Sequence, residues 1–494
     1  MQKHENNVDK KKIVIEPVTR LEGEAKISIF LDDDGNVENA FFQVVELRGF
    51  ERFCIGRPAE ELPRITSKIC GVCSWAHHLA SVKALDMLFD APPPKTAHMI
   101  REMAYCAHMI HSHLAHFYVL AGPDFFIGPT ADPAMRNIFG ILERFPNVAK
   151  EVIKNRAYAQ KIQEIVGGKP IHPVSGLPGG VSKQLTKEEQ KKIEEYGKSF
   201  LEFSKTSLDL FESAVLRRED LSDLFLSDTY NHRTYYMSIV DKNNNFNFYD
   251  GKIRVIDPNG REFAKFDAKN YLDYIEEHVE PWTYLKFPYL KSVGWKGIKD
   301  GEDSGVYRVN SLARLNVSDS VATPLAKEAA EKMYDTLGEK PAHNTFAFNW
   351  ARLVEIMYAS ERLLELITDD EILDSNIRAD IGGVTGLGIG TVEAPRGTLY
   401  HHYETDDEGL ITGVNLIVAT VQNNAGICMS IRKAAQEVIK NWEVSEGILN
   451  RVEMAFRAYD PCLACASHSL VGQMPMEINI FTKDGKLYKQ IRRS

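Results

Sequence analysis

Met103-Ala-Tyr-Cys-Ala107-His-Met-Ile110-His-Ser-His-Leu114-Ala-His-Phe117-Tyr-Val-Leu-Ala121 is the stretch that decides the fold. Met103, Ala107, Ile110, Leu114, Phe117 and Ala121 recur in steps of four and three, which places them on one helical face. Pro92-Pro-Pro94 stops whatever precedes it. A second helix is predicted over about 187–217. Thr186 and Glu189 form a capping box at its start, and its apolar stripe is Ile193, Tyr196, Phe200, Phe203, Leu210 and Ala214. A third spans about 344–367, with Ala351, Val354 and Tyr358 in register. Long helices with one apolar face each must bury those faces against one another, so a helical bundle is the expected core.

On the N-terminal side of the bundle, Lys12–Val18, Ala25–Leu31 and Ala40–Glu46 read as strands, with a turn at Asp32-Asp-Asp-Gly-Asn36. Residues 228–310 are rich in Tyr, Asn and Gly. Ile253–Ile256 and Arg261–Phe266 flank Asp257-Pro-Asn-Gly260 as a hairpin, and the stretch reads as a peripheral β-rich insertion. Met476–Phe481 and Leu487–Ile491, around Asp484-Gly485, read as a last hairpin. The expected class is α+β. Its expected units are an N-terminal β region (1–62), a first helical part (63–226), the insertion (227–310), a second helical part (311–468) and a C-terminal extension (469–494).

The chain has 494 residues and a net charge of −10, so it is long enough to bury a large core without disulfides and lacks the basic balance of a nucleic-acid binder. No apolar run approaches the roughly 20 residues that span a bilayer. Met1–Lys12 lacks the apolar core of a signal peptide, and a cytoplasmic protein is expected.

Four of the seven cysteines form two CxxC pairs: Cys70-Gly-Val-Cys73, followed by His77, and Cys462-Leu-Ala-Cys465, followed by His468. Two such pairs present four thiolates to one soft metal. A structural zinc fits this pattern, but zinc ribbons usually hold their pairs about 15–20 residues apart, whereas these lie at opposite ends of the chain. Two separate redox sites fit less well, because neither pair sits in a βαβ pattern. Cys54, Cys106 and Cys428 read as buried hydrophobes. His98, His108, His111, His113 and His116 crowd one helix without sharing a face and read as packing or surface residues. His172 reads as a loop histidine, and His401 or His402 as support for the arginine motif just before them.

Six ordered motifs give the chain a family resemblance: Arg20-Leu-Glu22-Gly23, Arg48-Gly-Phe-Glu51, Cys70-Gly-Val-Cys73 with His77, His116-Phe-Tyr with Asp124, Glu393-Ala-Pro-Arg396-Gly397, and Asp460-Pro-Cys462 with Cys465 and His468. From Glu16 to His468 it resembles the large, catalytic subunit of nickel–iron hydrogenases. It is most similar to the cytoplasmic, methyl-viologen-reducing group linked to heterodisulfide reductase. The resemblance implies reversible heterolytic cleavage of dihydrogen. It implies nickel on Cys70, Cys73, Cys462 and Cys465, with Cys73 and Cys465 bridging to an iron that carries carbon monoxide and cyanide. Pro395 and Thr420 are implied at the pocket for those small ligands. Arg396 is implied as the electrostatic catalyst and Asp124 as the carboxylate that orients it, with Cys462 and then Glu22 receiving the proton. Glu51, His468 and the carbonyl of Leu416 are implied at a second site for magnesium or iron. An iron–sulfur small subunit must accept the electrons, because this chain lacks the cysteine clusters of a ferredoxin. Further subunits holding flavin or resembling heterodisulfide reductase are expected.

The chain departs from the family pattern in three places. Glu24 stands where many members have histidine, Ala419 stands where proline is usual, and Ser469–Ser494 runs past the last motif. The resemblance implies that this tail is removed on maturation. A dihydrogen-sensing regulatory homologue shares the same motifs, and a zinc-binding module is the remaining alternative. A related subunit of respiratory complex I lacks the four cysteines that are present here.

Overall fold

In the computed structural model, which describes residues 12–468, 476–482 and 486–493, the predicted helices form the centre of the molecule. Strands β1 (Lys12–Ile15), β2 (Ala25–Leu31) and β3 (Val37–Val44) make an antiparallel N-terminal sheet in the order β1-β2-β3. They are followed by α1 (Ser74–Leu88), α2 (Lys95–Ala115), α3 (Pro146–Gly167) and α4 (Lys187–Phe211). The Thr186–Glu189 capping box opens α4 as expected. Past Ala115, α2 runs on through a wider turn, His116–Ala121, just before Pro123, which has no N–H to continue regular pairing.

Strands β4 (Tyr235–Val240), β5 (Lys252–Ile256), β6 (Glu262–Phe266) and β7 (Tyr307–Arg308) form one sheet in the order β7-β4-β5-β6, with β7 parallel to β4. The β5–β6 hairpin is the one expected from Asp257-Pro-Asn-Gly260. Helices α5 (Ser311–Val317) and α6 (Ala347–Thr368) come next, and α6 packs against both α2 and α4. The antiparallel sheet β8 (Leu387–Ala394), β9 (Gly397–Thr405) and β10 (Ile411–Ile417) follows, then α7 (Asn424–Val438) and α8 (Glu446–Arg457). Met476–Phe481 pairs antiparallel with Leu487–Arg493 as the last hairpin, while its Asp484-Gly485 turn lies outside the described residues.

Two expectations are corrected by packing. The stripe on α2 understates that helix: Met103, Ala107, Ile110 and Leu114 are buried, but so are Arg101, Glu102, His108, Ser112 and His113. Near the centre of a bundle a helix has little solvent face, so polar residues pair inside, as Arg101 does with Asp86 and His113 with Glu355, while His108 Nε2 is buried without a partner. The β-rich segment is also less peripheral than its composition suggests. Tyr235, Met237, Ile239, Ile253 and Val255 share a core with Ile389, Tyr400 and Ile417, and so buttress the sheet that carries the arginine motif.

Candidate metal centre and catalytic site

The two cysteine pairs, from opposite ends of the chain, meet in the interior. Cys70 ends a short helical turn, and Cys73 immediately precedes α1, whose N-terminal end favours a thiolate. Cys462 and Cys465 flank and enter the short helix Leu463–Ala466. The four sulfurs lie within 4.8 Å of one another and all four residues are buried. The nearest approaches are Cys462–Cys465 at 2.9 Å, Cys73–Cys465 at 3.0 Å and Cys462–Cys70 at 3.3 Å. Burial pushes the Cys462 and Cys465 thiols far up, whereas hydrogen bonds, first from Cys462, pull Cys70 well down. Four thiolates this close need a cation between them. The donor set is all sulfur, and it fits a soft, redox-active metal such as nickel.

Local structure explains why the ends meet. Glu22 and Cys462 form a parallel bridge, with Leu463 N–H donating to the Glu22 carbonyl at 2.9 Å. Arg48 reaches the carbonyls of Ile69 and Ala464, one beside each cysteine pair, and its amide donates to Ser467 O at 2.8 Å. His172 braces the first pair from the Gly/Pro-rich loop, with Nδ1 2.8 Å from Ser67 O and its amide on Ser74 Oγ.

Glu22 points its Oε2 at Cys462 Sγ, 3.0 Å away, and accepts the Ala464 amide at 3.0 Å. Burial raises its pKa, and negative charge on Cys70 adds to that. A carboxyl with a raised pKa in contact with a thiol is able to hold a proton and pass it on.

Arg396 is buried beside the sulfurs. Its Nε donates to the Asp460 carbonyl at 2.8 Å and its Nη2 to Asp460 Oδ1 at 3.0 Å. Burial opposes the charge, but Asp460 and the nearby sulfurs outweigh it and raise the pKa. The expected partner, Asp124, is elsewhere. It pairs with Arg20, with Arg457 Nη1 at 3.0 Å and with Asn450 Nδ2 at 3.0 Å. Asp124 therefore clamps the Glu22 loop to α8, while Asp460, two residues before Cys462, orients Arg396. Sequence spacing places both aspartates in motifs but cannot show which guanidinium each one faces.

The turn that presents Arg396 is held from behind. Arg314 donates to the carbonyls of Ala394 (3.0 Å) and Pro395 (3.1 Å), to Glu393 at 2.8 Å and to both oxygens of Glu355. Gly397, at φ 127°, is required here: a Cβ would sit 2.2 Å from Val309 Cγ2. Neither Arg314 nor Asp460's role was drawn from the sequence.

Beside the sulfurs is a small cavity of about 10 Å³, lined by Cys73, Ala76, His77, Ala394, Arg396, Leu399, Val418, Ala419, Thr420, Cys462 and Cys465. Thr420 is part of this wall, and its Oγ1 accepts the Cys462 amide at 3.1 Å. Pro395 is not. Its carbonyl is turned to Arg314, and its neighbours Ala394 and Arg396 line the space instead.

Glu51, Leu416 and His468 also converge. Glu51 Oε1 accepts the Leu416 amide at 2.8 Å and lies 3.6 Å from His468 Nε2, which in turn contacts the Leu416 carbonyl at 2.6 Å. His468 Nδ1 is 2.7 Å from the Cys465 carbonyl, which ties this cluster to the second cysteine pair. Burial raises Glu51 and lowers His468. Cys54, Cys106 and Cys428 are buried away from the four-sulfur cluster. Among the helix α2 histidines, His113 is bonded to Glu355, and the neighbouring His116 contacts the Arg457 carbonyl at 2.7 Å. No described helix is long and apolar enough to cross a membrane.

An all-cysteine buried cluster with an arginine and a carboxyl against it defines a redox metalloenzyme, and the comparisons say which. The chain belongs to the nickel-dependent hydrogenase family, whose model matches residues 48–132 and 265–468, while residues 12–47 match a model described as HoxL-like. It is 50% identical to the F420-non-reducing hydrogenase iron-sulfur subunit of Archaeoglobus profundus, over 98% of this chain and 99% of that one. It is 44% identical to the F420-non-reducing hydrogenase vhu subunit of Methanocaldococcus jannaschii, over 87% of this chain and all of that one. Among solved structures, a NAD+-reducing [NiFe]-hydrogenase in the H2-reduced state superposes with a TM-score of 0.87 at 36% identity, covering 93% of this chain and 99% of that one. The Ni-Fe-Se hydrogenase of Desulfovibrio vulgaris Hildenborough shares the fold, with a TM-score of 0.72 at 23% identity over 92% of this chain and 99% of that one. The chain is the catalytic large subunit of a nickel–iron hydrogenase and catalyses the interconversion of dihydrogen with protons and electrons.

Proposed function

We propose that Cys70 and Cys462 bind nickel terminally, and that Cys73 and Cys465 bridge it to an iron carrying carbon monoxide and cyanide. The supporting observation is the single buried cluster in which all four sulfurs, the Glu22 carboxyl and the Arg396 guanidinium meet. When bound, the two metals supply the electron acceptor and Lewis acid for splitting dihydrogen. The protein's part is electrostatic and protonic. Arg396, held rigid by Asp460, presents a fixed positive charge where charge separates. Cys462 takes the proton at Sγ, and Glu22 Oε2, 3.0 Å away, carries it off. Ala394, Leu399, Val418 and Ala419 give the space beside the sulfurs an apolar wall, which would face the small ligands of the iron.

The finer assignments follow the same reading. Glu51, the Leu416 carbonyl and His468 hold magnesium or iron; two oxygen donors suit magnesium, and the lone imidazole also suits iron. An iron–sulfur small subunit takes the electrons and passes them to flavin-containing or heterodisulfide-reductase-like partners. The enzyme works in the cytoplasm, and residues 469–494 are removed once nickel is in place. Glu22→Gln tests the proton route. It keeps the shape but cannot exchange a proton, so isotope exchange between dihydrogen and water should fall by about 10²-fold or more while nickel is retained. Exchange at the unaltered rate would remove Glu22 from the route.

A further inference from the structure

Helix α8 ends at Arg457, and the residues that lead from it to Cys462 are buried and lie outside any helix or strand. Their carbonyls are taken up by side chains from separate elements. Ala458 O accepts from Arg352 Nη1 on α6 at 2.7 Å, Tyr459 O from Asn310 Nδ2 at 2.7 Å, and Asp460 O from Arg396 Nε at 2.8 Å. Asn310 is fully buried and stands just before α5. Its Oδ1 accepts the Ser311 amide at 2.7 Å and Arg352 Nη2 at 3.2 Å, while Arg352 Nε has no partner among the described residues. Two donors on one side and a carbonyl on the other leave one orientation for the Asn310 amide.

Asn310 holds φ 94° and ψ −174°, a region that residues with a Cβ avoid and glycine occupies readily. Glycine would also start the helix at little cost. Asparagine here therefore points to what its side chain does. Its main chain lies against the arginine turn, since a Cβ on Gly397 would sit 2.8 Å from Asn310 N. Four residues further on, Arg314 donates to the carbonyls of Ala394 and Pro395, just before Arg396. Both sides of the site are thus fastened at α5, the arginine side by Arg314 and the approach to the second cysteine pair by Asn310. We propose that Asn310 is a positioning residue of the reaction centre, which holds Tyr459, and through it Asp460 and Cys462, in register with Arg396. Without the Nδ2 hydrogen the Tyr459 carbonyl loses that anchor. Asp460 is next in the chain and holds Arg396 by both its carbonyl and its carboxylate, so the guanidinium moves with it.

The inference rests on the reading of Arg396 as the electrostatic group, so Arg396→Lys is measured beside Asn310→Gly and Asn310→Asp in the complete, nickel-loaded complex. Asn310→Gly suits the backbone and removes the side chain. Asn310→Asp keeps an acceptor for Ser311 and Arg352 but sets an oxygen against the Tyr459 carbonyl, which separates helix capping from the hold on Tyr459. Asn310→Gly should keep its nickel and unfold at or above the unaltered midpoint. Both Asn310 variants should lower kcat by about 10–10²-fold, the scale of a small misplacement of a reacting group, with KM for dihydrogen unchanged. Both should also displace the infrared bands of the carbon monoxide and cyanide on iron, because the positive charge beside them has moved. Unaltered kcat and bands in Asn310→Gly would overturn the inference. So would a loss in Asn310→Gly that Asn310→Asp does not share, since capping alone would then explain it. If Asn310→Gly does not assemble, Asn310→Asp decides by the same kcat and bands. Arg396→Lys at the unaltered kcat, or no such bands from the unaltered enzyme, would instead overturn the reading beneath it.

Discussion

Two buried clusters of ionisable side chains lie close to the Glu393–Gly397 turn, and they differ in one respect. Arg314, Glu355, Glu393 and His113 are fully buried and their charges are paired within the cluster, with His113 Nδ1 the one ring nitrogen left without a partner. The Arg314 guanidinium and an ionised Glu355 offset each other, burial raises Glu393, and burial lowers His113. The four cysteines are equally buried but are all acids, and the nearest guanidinium, Arg396, is already engaged by Asp460. The first cluster is finished without a ligand, as a structural ion pair must be. The second is finished only by a cation. That contrast separates framework from reaction centre in this molecule.

The contrast is broken most severely at the sulfurs. Serine at any one of Cys70, Cys73, Cys462 or Cys465 should abolish nickel retention and dihydrogen-dependent viologen reduction in the purified complex. Metal analysis showing full nickel in such a variant would contradict the four-sulfur site. The self-complete cluster should respond in stability instead. Glu355→Ala leaves Arg314 buried without its main partner and should cost about 3–5 kcal/mol in denaturant unfolding. A change below 1 kcal/mol would mean that the cluster is not holding the turn.

The two aspartates sharpen the same division. Asp460→Asn and Arg396→Lys should each lower kcat by about 10²–10³-fold with the fold intact, the scale of losing one preorganised electrostatic donor. Asp124→Asn should destabilise by about 1–3 kcal/mol through the Arg20–Arg457 clamp, and should leave the folded enzyme's kcat within about tenfold. The reverse ranking would restore Asp124 as the partner of Arg396.

Acid lability of the framework follows from its buried histidines. Burial holds His78 at about 4, and His116 and His343 at about 3. These values are depressed, so below the unfolded value of roughly 6.5 the unfolded chain binds protons that the folded one refuses. Stability is therefore full above pH ~6.5 and falls as pH drops toward those folded values, by up to about 1.4 kcal/mol per pH unit for each histidine. Unfolding midpoints at pH 7 and 5 would show it, and equal midpoints would contradict it.

Much of this was legible in the sequence because it lies in short, ordered patterns. The helix stripes of α2 and α4, the capping box at Thr186 and the β5–β6 hairpin follow from local periodicity and turn chemistry. The cysteine pairs and Glu22 stand in motifs specific enough to name their chemistry, and the fold brings them together. Pairing between distant side chains was not legible. Asp124 and Asp460 are the same residue type in equally suggestive motifs, and only the path of α8 shows that one faces Arg20 and Arg457 and the other Arg396. Arg314 carries no local signal, because an arginine in a helix gives no hint that it will be buried behind a strand turn.

The central claim is that sulfur from both ends of the chain surrounds one nickel ion. X-ray absorption at the nickel edge of the purified complex tests it directly. The account predicts a first shell of four sulfurs in the unaltered complex, and no nickel-edge signal in either Cys70→Ser or Cys462→Ser. A shell of nitrogen and oxygen, or a site filled by zinc with no nickel present, would contradict it.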